Sequence, residues 1–358
     1  MGCVAVSMSD KEKPTVTVVL PVRNEVQFVS RAIKNFLNND YPPERMEIIA
    51  VDGCSDDGTK EVIENLSRTD GRIIVIENRD RITPVAMNLG VKAAKGKYIL
   101  VAGAHNEYSQ DYLKSCVEVI ERTGAGCVGG YMETLPGGTG LVAGAISCAT
   151  SSPFGVGGAK FRTGGDIEQE VDALGVSFIK KEVFEKVGMY NPLLVRNQDI
   201  EFSSRVRKAG YKIIVSPKIK LKYYNRGTFA GLRRQAFSNG KWNAYTLWVA
   251  GGGLRLRHLI PAAFVLSLTG LLVLALLVKG VFVWLLCGYL GLYLAAGSFE
   301  ALRTSCRAHK IVLLPLILLS FLQMHLWYGF GTILGAAVVP FKFHRRAISL
   351  AKTEDSGR

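Results

Sequence analysis

The chain has 358 residues, of which 48% are hydrophobic, and 44 Lys or Arg against 30 Asp or Glu give it a net charge of +14. Almost all of the apolar excess lies after residue 258, which excludes a uniformly soluble enzyme and points to a soluble part followed by a membrane part. Seven cysteines without a C-x-x-C pair point away from a disulfide framework or a structural zinc site and fit a reducing, cytosolic setting.

In chain order, residues 1–13 read as a flexible lead with no signal-peptide pattern. Val6, where Ser or Thr is required, argues against myristoylation of Gly2. The β-branched run Thr15–Pro21 predicts a strand, and Glu25–Leu37 has helical spacing of apolar positions. Met46–Asp52 predicts a second strand, Asp57–Leu66 a helix, Arg72–Ile76 a third strand, Thr83–Ala94 a helix with Pro84 in its first turn, and Lys97–Ala102 a fourth strand. This alternation predicts an α/β fold: a mixed, mainly parallel sheet with helices on both faces. Ligands of such sheets bind beyond the carboxyl ends of the strands. Polar residues cluster there, at Arg23-Asn24-Glu25, Asp52-Gly53 and His105-Asn106-Glu107.

Residues 136–170 are Gly-rich and read as irregular: a surface loop, or a mobile lid or acceptor loop. A strand over Ala173–Ile179 and helices over Lys181–Val187 and Gln198–Lys208 follow. Between Lys218 and His258 stand nine Lys or Arg and no Asp or Glu. This run directly precedes the first long apolar stretch, so it reads as a juxtamembrane segment facing anionic headgroups rather than as a nucleic-acid site.

Three long uncharged segments come next, at 260–278, 280–299 and 311–340, the first two forming a hairpin. Arg303, Arg307 and Lys310 between the second and third are consistent with a return to the cytoplasm. The third segment reads either as one span or as broken segments that enter and re-emerge. The linear organisation expected is therefore an α/β domain over 14–245, a membrane domain over 246–340, and a basic then polar tail over 341–358.

Several residues carry chemistry. Asn24 can cap the helix after the first strand, and the Asp52 carboxylate can accept hydrogen bonds from a ligand N–H. Asp56 or Asp57 can cap the following helix. Asp199 near a helix start reads either as a dipole-complementing charge or as a base, and Asp172 as a solvated charge or a partner for ligand hydroxyls.

Taken together and in order, TVVLPVRNE, AVDGCSDDGT, RITPVAMNLGVKAAKGKYIL and NQDIEF resemble the family 2 glycosyltransferases with the GT-A fold. SSPFGVGGAKFRTGG and LLVRNQDIEF are similar to the succinoglycan-biosynthesis type, which builds sugars onto polyprenyl carriers; the resemblance covers roughly residues 14–245. It implies an inverting transfer from a UDP-sugar or GDP-sugar to a polyprenyl-linked saccharide in exopolysaccharide or surface-glycan assembly, at a cell membrane crossed several times, with the catalytic domain cytoplasmic. Transfer to polyprenyl monophosphate and a catalytically silent member of the fold remain open.

By the same resemblance, Pro21, Arg23, Asn24 and Glu25 hold base and ribose. Asp52, with Gly53 and Ser55 beside it, contacts the base, and Arg81 and Asn88 line the base and diphosphate. Ala102-Gly103-Ala104-His105 stands where the family carries D-x-D or D-x-H, so Ala104 and His105 face the donor diphosphate and His105 is the metal ligand. Gly103 replaces the first Asp, which weakens the expected Mn²⁺ or Mg²⁺ site; an extended strand would bring Glu107 to the same face as His105. Asp199 is the expected general base, with Gln198 and Glu201 beside it. Arg233-Arg234-Gln235 and Lys241-Trp242 resemble a degenerate Q-x-x-R-W region, read as an interface helix near the acceptor phosphate or as a headgroup anchor.

Overall fold

The computed structural model describes residues 15–250 and 253–355, with side chains through Val339. The expected flexible lead 1–13 and the side chains of the tail 341–358 lie outside the described residues. In chain order the elements are β1 (Val16–Val22), α1 (Val26–Leu37), β2 (Met46–Asp52), α2 (Thr59–Thr69), β3 (Ile73–Glu77), α3 (Thr83–Ala93), β4 (Tyr98–Val101), β5 (Asn106–Tyr108), α4 (Tyr112–Thr123) and β6 (Cys127–Leu135). There follow α5 (Leu141–Thr150), α6 (Pro153–Val156), α7 (Lys160–Thr163), β7 (Gln169–Glu170), β8 (Ser177–Lys180), α8 (Lys181–Val187), α9 (Gln198–Lys208) and β9 (Ile213–Tyr224). The last four helices are α10 (Phe229–Ala250), α11 (Ile260–Leu277), α12 (Val281–Arg307) and α13 (Leu314–Asp355).

The chain divides into two compact units, Met1–Glu133 with Gly164–Tyr223, and Thr134–Thr163 with Tyr224–Arg358. The first unit holds the sheet, whose order is β3-β2-β1-β4-β8-β6-β9-β5 with β7 on β9. β3, β2, β1 and β4 pair in parallel. The pairs β4–β8, β6–β8, β5–β9 and β7–β9 are antiparallel, so the sheet is mixed. β1 is apolar on both faces, and Val16, Val18, Val19 and Leu20 are fully buried, as a central parallel strand covered by helices requires. α1 repays this with Val29, Ala32, Ile33 and Phe36 on one buried stripe.

Pro21 lies inside β1 rather than at its end, opposite Val51 of β2. β4 stops at Val101, opposite Val19, and the Ala102 N–H donates to the Val19 carbonyl at 2.9 Å. Residues 19 and 21 point their backbone groups to the same side, so the missing N–H of Pro21 faces a flank where the β4 ladder has ended. The fourth strand is thus shorter than expected. A turn follows it, with the Asn106 N–H on the Gly103 carbonyl at 3.3 Å, and the chain then enters β5. Gly103, His105 and Glu107 therefore do not share a continuous strand face. Glu107 pairs instead with Arg31 at 3.2 Å.

The second unit departs most from the linear reading. The Gly-rich segment is not an irregular loop: α5 buries Ala143, Ala145, Ile146, Ser147, Ala149 and Thr150. Ala145 and Ala149 form one apolar cluster with Ala301 of α12, Leu313, and Ile317 and Phe321 of α13. Small side chains hid this helix in the sequence, since Ala, Gly and Ser give no strong apolar period. They are what allows it to pack closely. α10 also belongs to this unit, although the expected α/β domain ran to 245. It meets α13 through glycines: a Cβ on Gly240 would stand 2.0 Å from the Tyr328 carbonyl oxygen, and one on Gly331 2.1 Å from that of Phe237.

Ile260–Leu277, Val281–Arg307 and Ile311–Val339 are each long and apolar enough to cross a membrane. The third is a continuous helix after one 3₁₀ turn at Ile311–Leu313, not broken segments.

In the first unit, a Cβ on Gly90 of α3 would stand 2.2 Å from Val19 Cγ1, whereas Gly71 has nothing within 4 Å. Gly90→Ala is expected to destabilise the protein by about 1–3 kcal/mol in denaturant unfolding through overpacking. Gly71→Ala is expected to stay within about 0.5 kcal/mol of the parent.

Candidate active site

The carboxyl ends of β1, β2, β3 and β4 form one rim, the place where open sheets of this kind bind ligands. Each strand feeds a loop that the sequence singles out. Three non-glycine residues adopt left-handed backbone there, one per loop: Asn24 (φ 55), Cys54 (φ 54) and Arg81 (φ 58). Such conformations cost on the order of 1–3 kcal/mol each and persist only where the surroundings over-determine them.

Hydrogen bonds between the first two loops do so here. The Asn24 N–H donates to Ser55 Oγ at 2.9 Å, and the Asp56 N–H to Asn24 Oδ1 at 3.1 Å. The Glu25 N–H donates to Thr59 Oγ1 at 2.7 Å and the Val26 N–H to Asp57 Oδ2 at 3.1 Å. Asp57 also accepts from the Thr59 hydroxyl and N–H, and the Thr59 hydroxyl, first among these donors, holds the carboxyl below its usual range. Asp57 thus serves the start of α2. The Arg23 side chain lies across Gly53, where a Cβ would come within 3.2 Å of it, and its Nη1 donates to the Arg81 carbonyl at 3.4 Å. The first three loops are therefore joined.

Asp52, expected to contact the base, is buried in this structure. It is 1% exposed, and both carboxylate oxygens accept from Ser55, Oδ1 from the hydroxyl at 2.6 Å and Oδ2 from the N–H at 3.1 Å. In this arrangement Asp52 shapes the loop, and the groups it presents to a ligand are those of Ser55 and Gly53.

On the fourth loop Ala104 is buried and His105 is 43% exposed. Here His105 meets Glu25, with Nε2 and Oε1 3.0 Å apart, and its ring lies 4.5 Å from that of Phe28 on α1. The partner of His105 is thus Glu25, 80 residues away in sequence, rather than Glu107. Phe28, missed in the sequence, orients the imidazole; its apolar helix position gave no signal of that role.

Asn88, expected at the donor, is committed elsewhere. Its Nδ2 donates to the Tyr190 carbonyl at 2.8 Å and its Oδ1 accepts the Tyr190 N–H at 2.9 Å. It clamps α3 to the segment that leads into α9. Glu201 is also structural: buried, it receives Arg205 Nε at 2.7 Å and Nη2 at 2.9 Å, and Arg205 further donates to the carbonyls of Val187, Gly188 and Met189. Asn88 and Arg205 together fix residues 187–190, and neither role can be seen without the fold.

α9 opens at Asn197, held left-handed at φ 61, with Gln198 and Asp199 in its first turn. Its far end leads to Lys212, whose carbonyl accepts from the N–H groups of Gly126 and Cys127 at the edge where β6 begins. β6 is antiparallel to β8, and β8 to β4, so that edge is the one opposite the rim. The far end of α9 therefore lies toward the edge opposite the rim, and Asp199 stands in the first turn, at the other end of the helix. Asp199 is half-buried, and its charge reaches Tyr190, whose phenol is pushed up by burial first and then by Cys127 and this carboxylate.

Asp172 is not at the rim. The neighbouring Val171 N–H bonds the Ile213 carbonyl at the start of β9, and the Asp172 carbonyl accepts from Arg207 Nε at 3.1 Å near the end of α9. Arg233, Arg234, Lys241 and Trp242 lie on α10 in the second unit. There Arg233 Nη1 donates to Gln323 Oε1 at 3.3 Å, and the Trp242 ring lies 4.9 Å from that of Tyr245.

A divalent ion shared with a diphosphate requires nitrogen or oxygen donors from the protein. His105 and Glu25 supply one of each at adjacent positions, and no group of three or more His, Cys, Asp or Glu suited to a metal occurs among the described residues. The pair fits an ion completed by ligand oxygens, not one held by protein alone.

Comparison with known proteins agrees with this fold. The family described as Glycosyl transferase family 2 matches residues 17–144. A succinoglycan biosynthesis protein, ExoA, of Rhizobium meliloti is 31% identical over 248 residues, 69% of this chain and 74% of the relative. A dolichyl N-acetyl-alpha-D-glucosaminyl phosphate 3-beta-D-2,3-diacetamido-2,3-dideoxy-beta-D-glucuronosyltransferase of Methanococcus voltae is 26% identical over 324 residues, 88% of this chain and 95% of the relative. Among solved structures, a mannosyltransferase from Pyrobaculum calidifontis in complex with GDP-Man and Mn²⁺ superposes with a TM-score of 0.58 at 18% identity, over 90% of each chain, and shows the same GT-A-like fold.

Asn88→Ala removes both bonds to Tyr190. It is expected to lower stability by about 1–3 kcal/mol, read by thermal unfolding; a variant as stable as the parent would remove the clamp from this account.

Proposed function

Because the chain belongs to glycosyl transferase family 2, we propose that it transfers a sugar, with inversion, from a nucleoside-diphosphate donor to an acceptor carried on a membrane lipid. The observation that carries this reading is the rim itself: four loops at the carboxyl ends of parallel strands, joined by the Asn24–Ser55 and Arg23–Arg81 bonds and closed by the His105–Glu25 pair. The lipid-linked acceptor is supported by the relatives named above and by three helices able to cross a membrane. Basic residues before α11 and between α12 and α13 support a cytoplasmic catalytic unit.

In the proposed reaction Arg23, Asn24, Gly53, Ser55 and Arg81 cradle the nucleotide, with Asp52 holding Ser55 in place. Gly103 and Ala104 leave room at the diphosphate, since a Cβ at position 103 meets only the Asn106 side chain, at 3.3 Å. His105 and Glu25 would hold Mn²⁺ or Mg²⁺, which when bound offsets negative charge on the diphosphate. Asp199 accepts the proton of the acceptor hydroxyl as its oxygen attacks the anomeric carbon from the face opposite the diphosphate. The Asn88 clamp on Tyr190 and the Glu201–Arg205 pair keep the start of α9 fixed for that task.

Two outcomes test this. Asp199→Asn is expected to reduce transfer about 10²–10⁴-fold while nucleotide affinity measured by calorimetry stays within about twofold; equal loss of both would assign Asp199 to the fold. His105→Ala removes the ring nitrogen that faces Glu25 and is expected to lower Mn²⁺-dependent binding of UDP or GDP by about tenfold, or 1.4 kcal/mol, in a thermal-shift titration. Unchanged binding would refute the cation site at His105 and Glu25. Acceptors bearing a polyprenyl-diphosphate saccharide and polyprenyl monophosphate, assayed side by side, separate the two lipid-linked products.

A further inference from the structure

Residues 134–159 contain no Asp, Glu, Lys, Arg or His, yet they form no helix long enough to span a bilayer. Their position within the second unit can be followed along the two helices they touch. At the start of α5, the Cβ site of Gly144 lies 3.6 Å from Leu313, just before α13. Further along, Gly155 faces Phe321, and the Phe154 ring lies 5.0 Å from Phe321 and 5.1 Å from His325. From Leu313 to His325 is about 18 Å of helix at 1.5 Å per residue. On α12 the same descent passes from Ala301, beside Ala145 and Ala149, to Gly297 and Tyr293, beside Phe154. The chain then returns: the Cβ site of Gly157 lies 3.3 Å from Arg257, in the turn before α11, and the first charges after it are Lys160 and Arg162.

We propose that residues 137–158 are a re-entrant hairpin that dips into one leaflet beside α12 and α13 and meets lipid acyl chains at its tip. Backbone that turns within hydrocarbon must have its polar groups satisfied by protein. The tip, Ser152-Pro153-Phe154, meets that demand. Ser152 Oγ accepts the Phe154 N–H at 3.2 Å and donates to Glu300 Oε1 at 2.8 Å. The Phe154 carbonyl accepts from His325 Nε2 at 2.9 Å, and His325 Nδ1 accepts the Tyr293 hydroxyl proton at 2.9 Å. A carbonyl can only accept, so the proton of the neutral ring sits on Nε2. Pro153 has no N–H to satisfy. His325 thereby answers a carbonyl of the hairpin, and Glu300 answers its Ser152 hydroxyl while also accepting from Arg303 Nη1 at 3.1 Å.

The occupant of the outer face is lipid hydrocarbon. Leu141 is 54% exposed and Pro153 is exposed, on an element bound to helices whose own exposed residues include Leu276, Trp284 and Leu292. This inference rests on α11–α13 crossing a bilayer, and the test separates the two.

The full, unmodified chain is reconstituted in phosphatidylcholine vesicles containing a phosphatidylcholine with a diazirine in its acyl chain, irradiated, and the adducts mapped by mass spectrometry. Adducts are expected on the Leu141–Val156 peptide as well as on α11 and α12. Labelling of α11 and α12 without that peptide overturns the hairpin; absence of label from α11 overturns the membrane premise and the hairpin with it. A second measurement uses a nitroxide at Pro153→Cys in a chain with its native cysteines replaced. It should collide several-fold more with O₂ than with a water-soluble nickel chelate, as at Leu272→Cys; the aqueous pattern of Glu61→Cys at position 153 refutes the proposal.

Discussion

The parallel ladder of β1 with β2 and β4 is the constraint on which the rest of the first unit depends. Its register places Val22 opposite Asp52 and Val19 opposite Val101, so the three strands end within a few residues of one another. Every polar loop that follows is then delivered to the same side of the sheet. The strands can hold this alignment because they are buried on both faces, where a shift in register would expose apolar side chains and strand backbone groups without partners. The strained residues Asn24, Cys54 and Arg81 are tolerated because that scaffold, and the bonds among the loops, leave them no cheaper conformation.

Division of labour among carboxylates follows from the same geometry. Asp52, Asp57 and Glu201 are each tied to nearby donors, Ser55, Thr59 and Arg205 respectively, and these ties hold loops and helix ends in place. Glu25 differs, because its partner is an imidazole on another loop that a shared cation can replace. Asp199 stands in the first turn of a helix that Arg205 ties to residues 187–189, next to the Tyr190 that Asn88 holds. In the proposed reaction the residues that do chemistry are thus few, and most of the polar residues around them serve to position these few.

The second unit obeys a different rule. Where the surroundings are apolar, polar groups must pair within the protein, and small residues let helices approach closely enough to do so. Gly240, Gly331 and Gly335 bring α10 against α13, while Ser152, Glu300 and His325 serve the turn between α5 and α6. Glycine and serine here signal close packing, the opposite of the loose loop that their composition suggests.

Local pattern alone determined much of this protein. The strands β1–β4, the helices between them, α8, α9 and the three long apolar helices were legible because periodicity and turn residues act over a few neighbours, and the ordered motifs pointed to the family. What only the tertiary structure decided are the meetings of residues far apart in sequence: Glu25 with His105, Asn88 with Tyr190, and Ser152 with Glu300. It also decided that Asp172 lies away from the rim, that Asp52 faces inward, and that the Gly-rich stretch folds with the apolar helices. The reason is physical. Hydrophobic period reports which face of an element is buried, but not which distant element covers it, and a polar side chain's role is settled by the donor or acceptor that packing brings within about 3 Å of it.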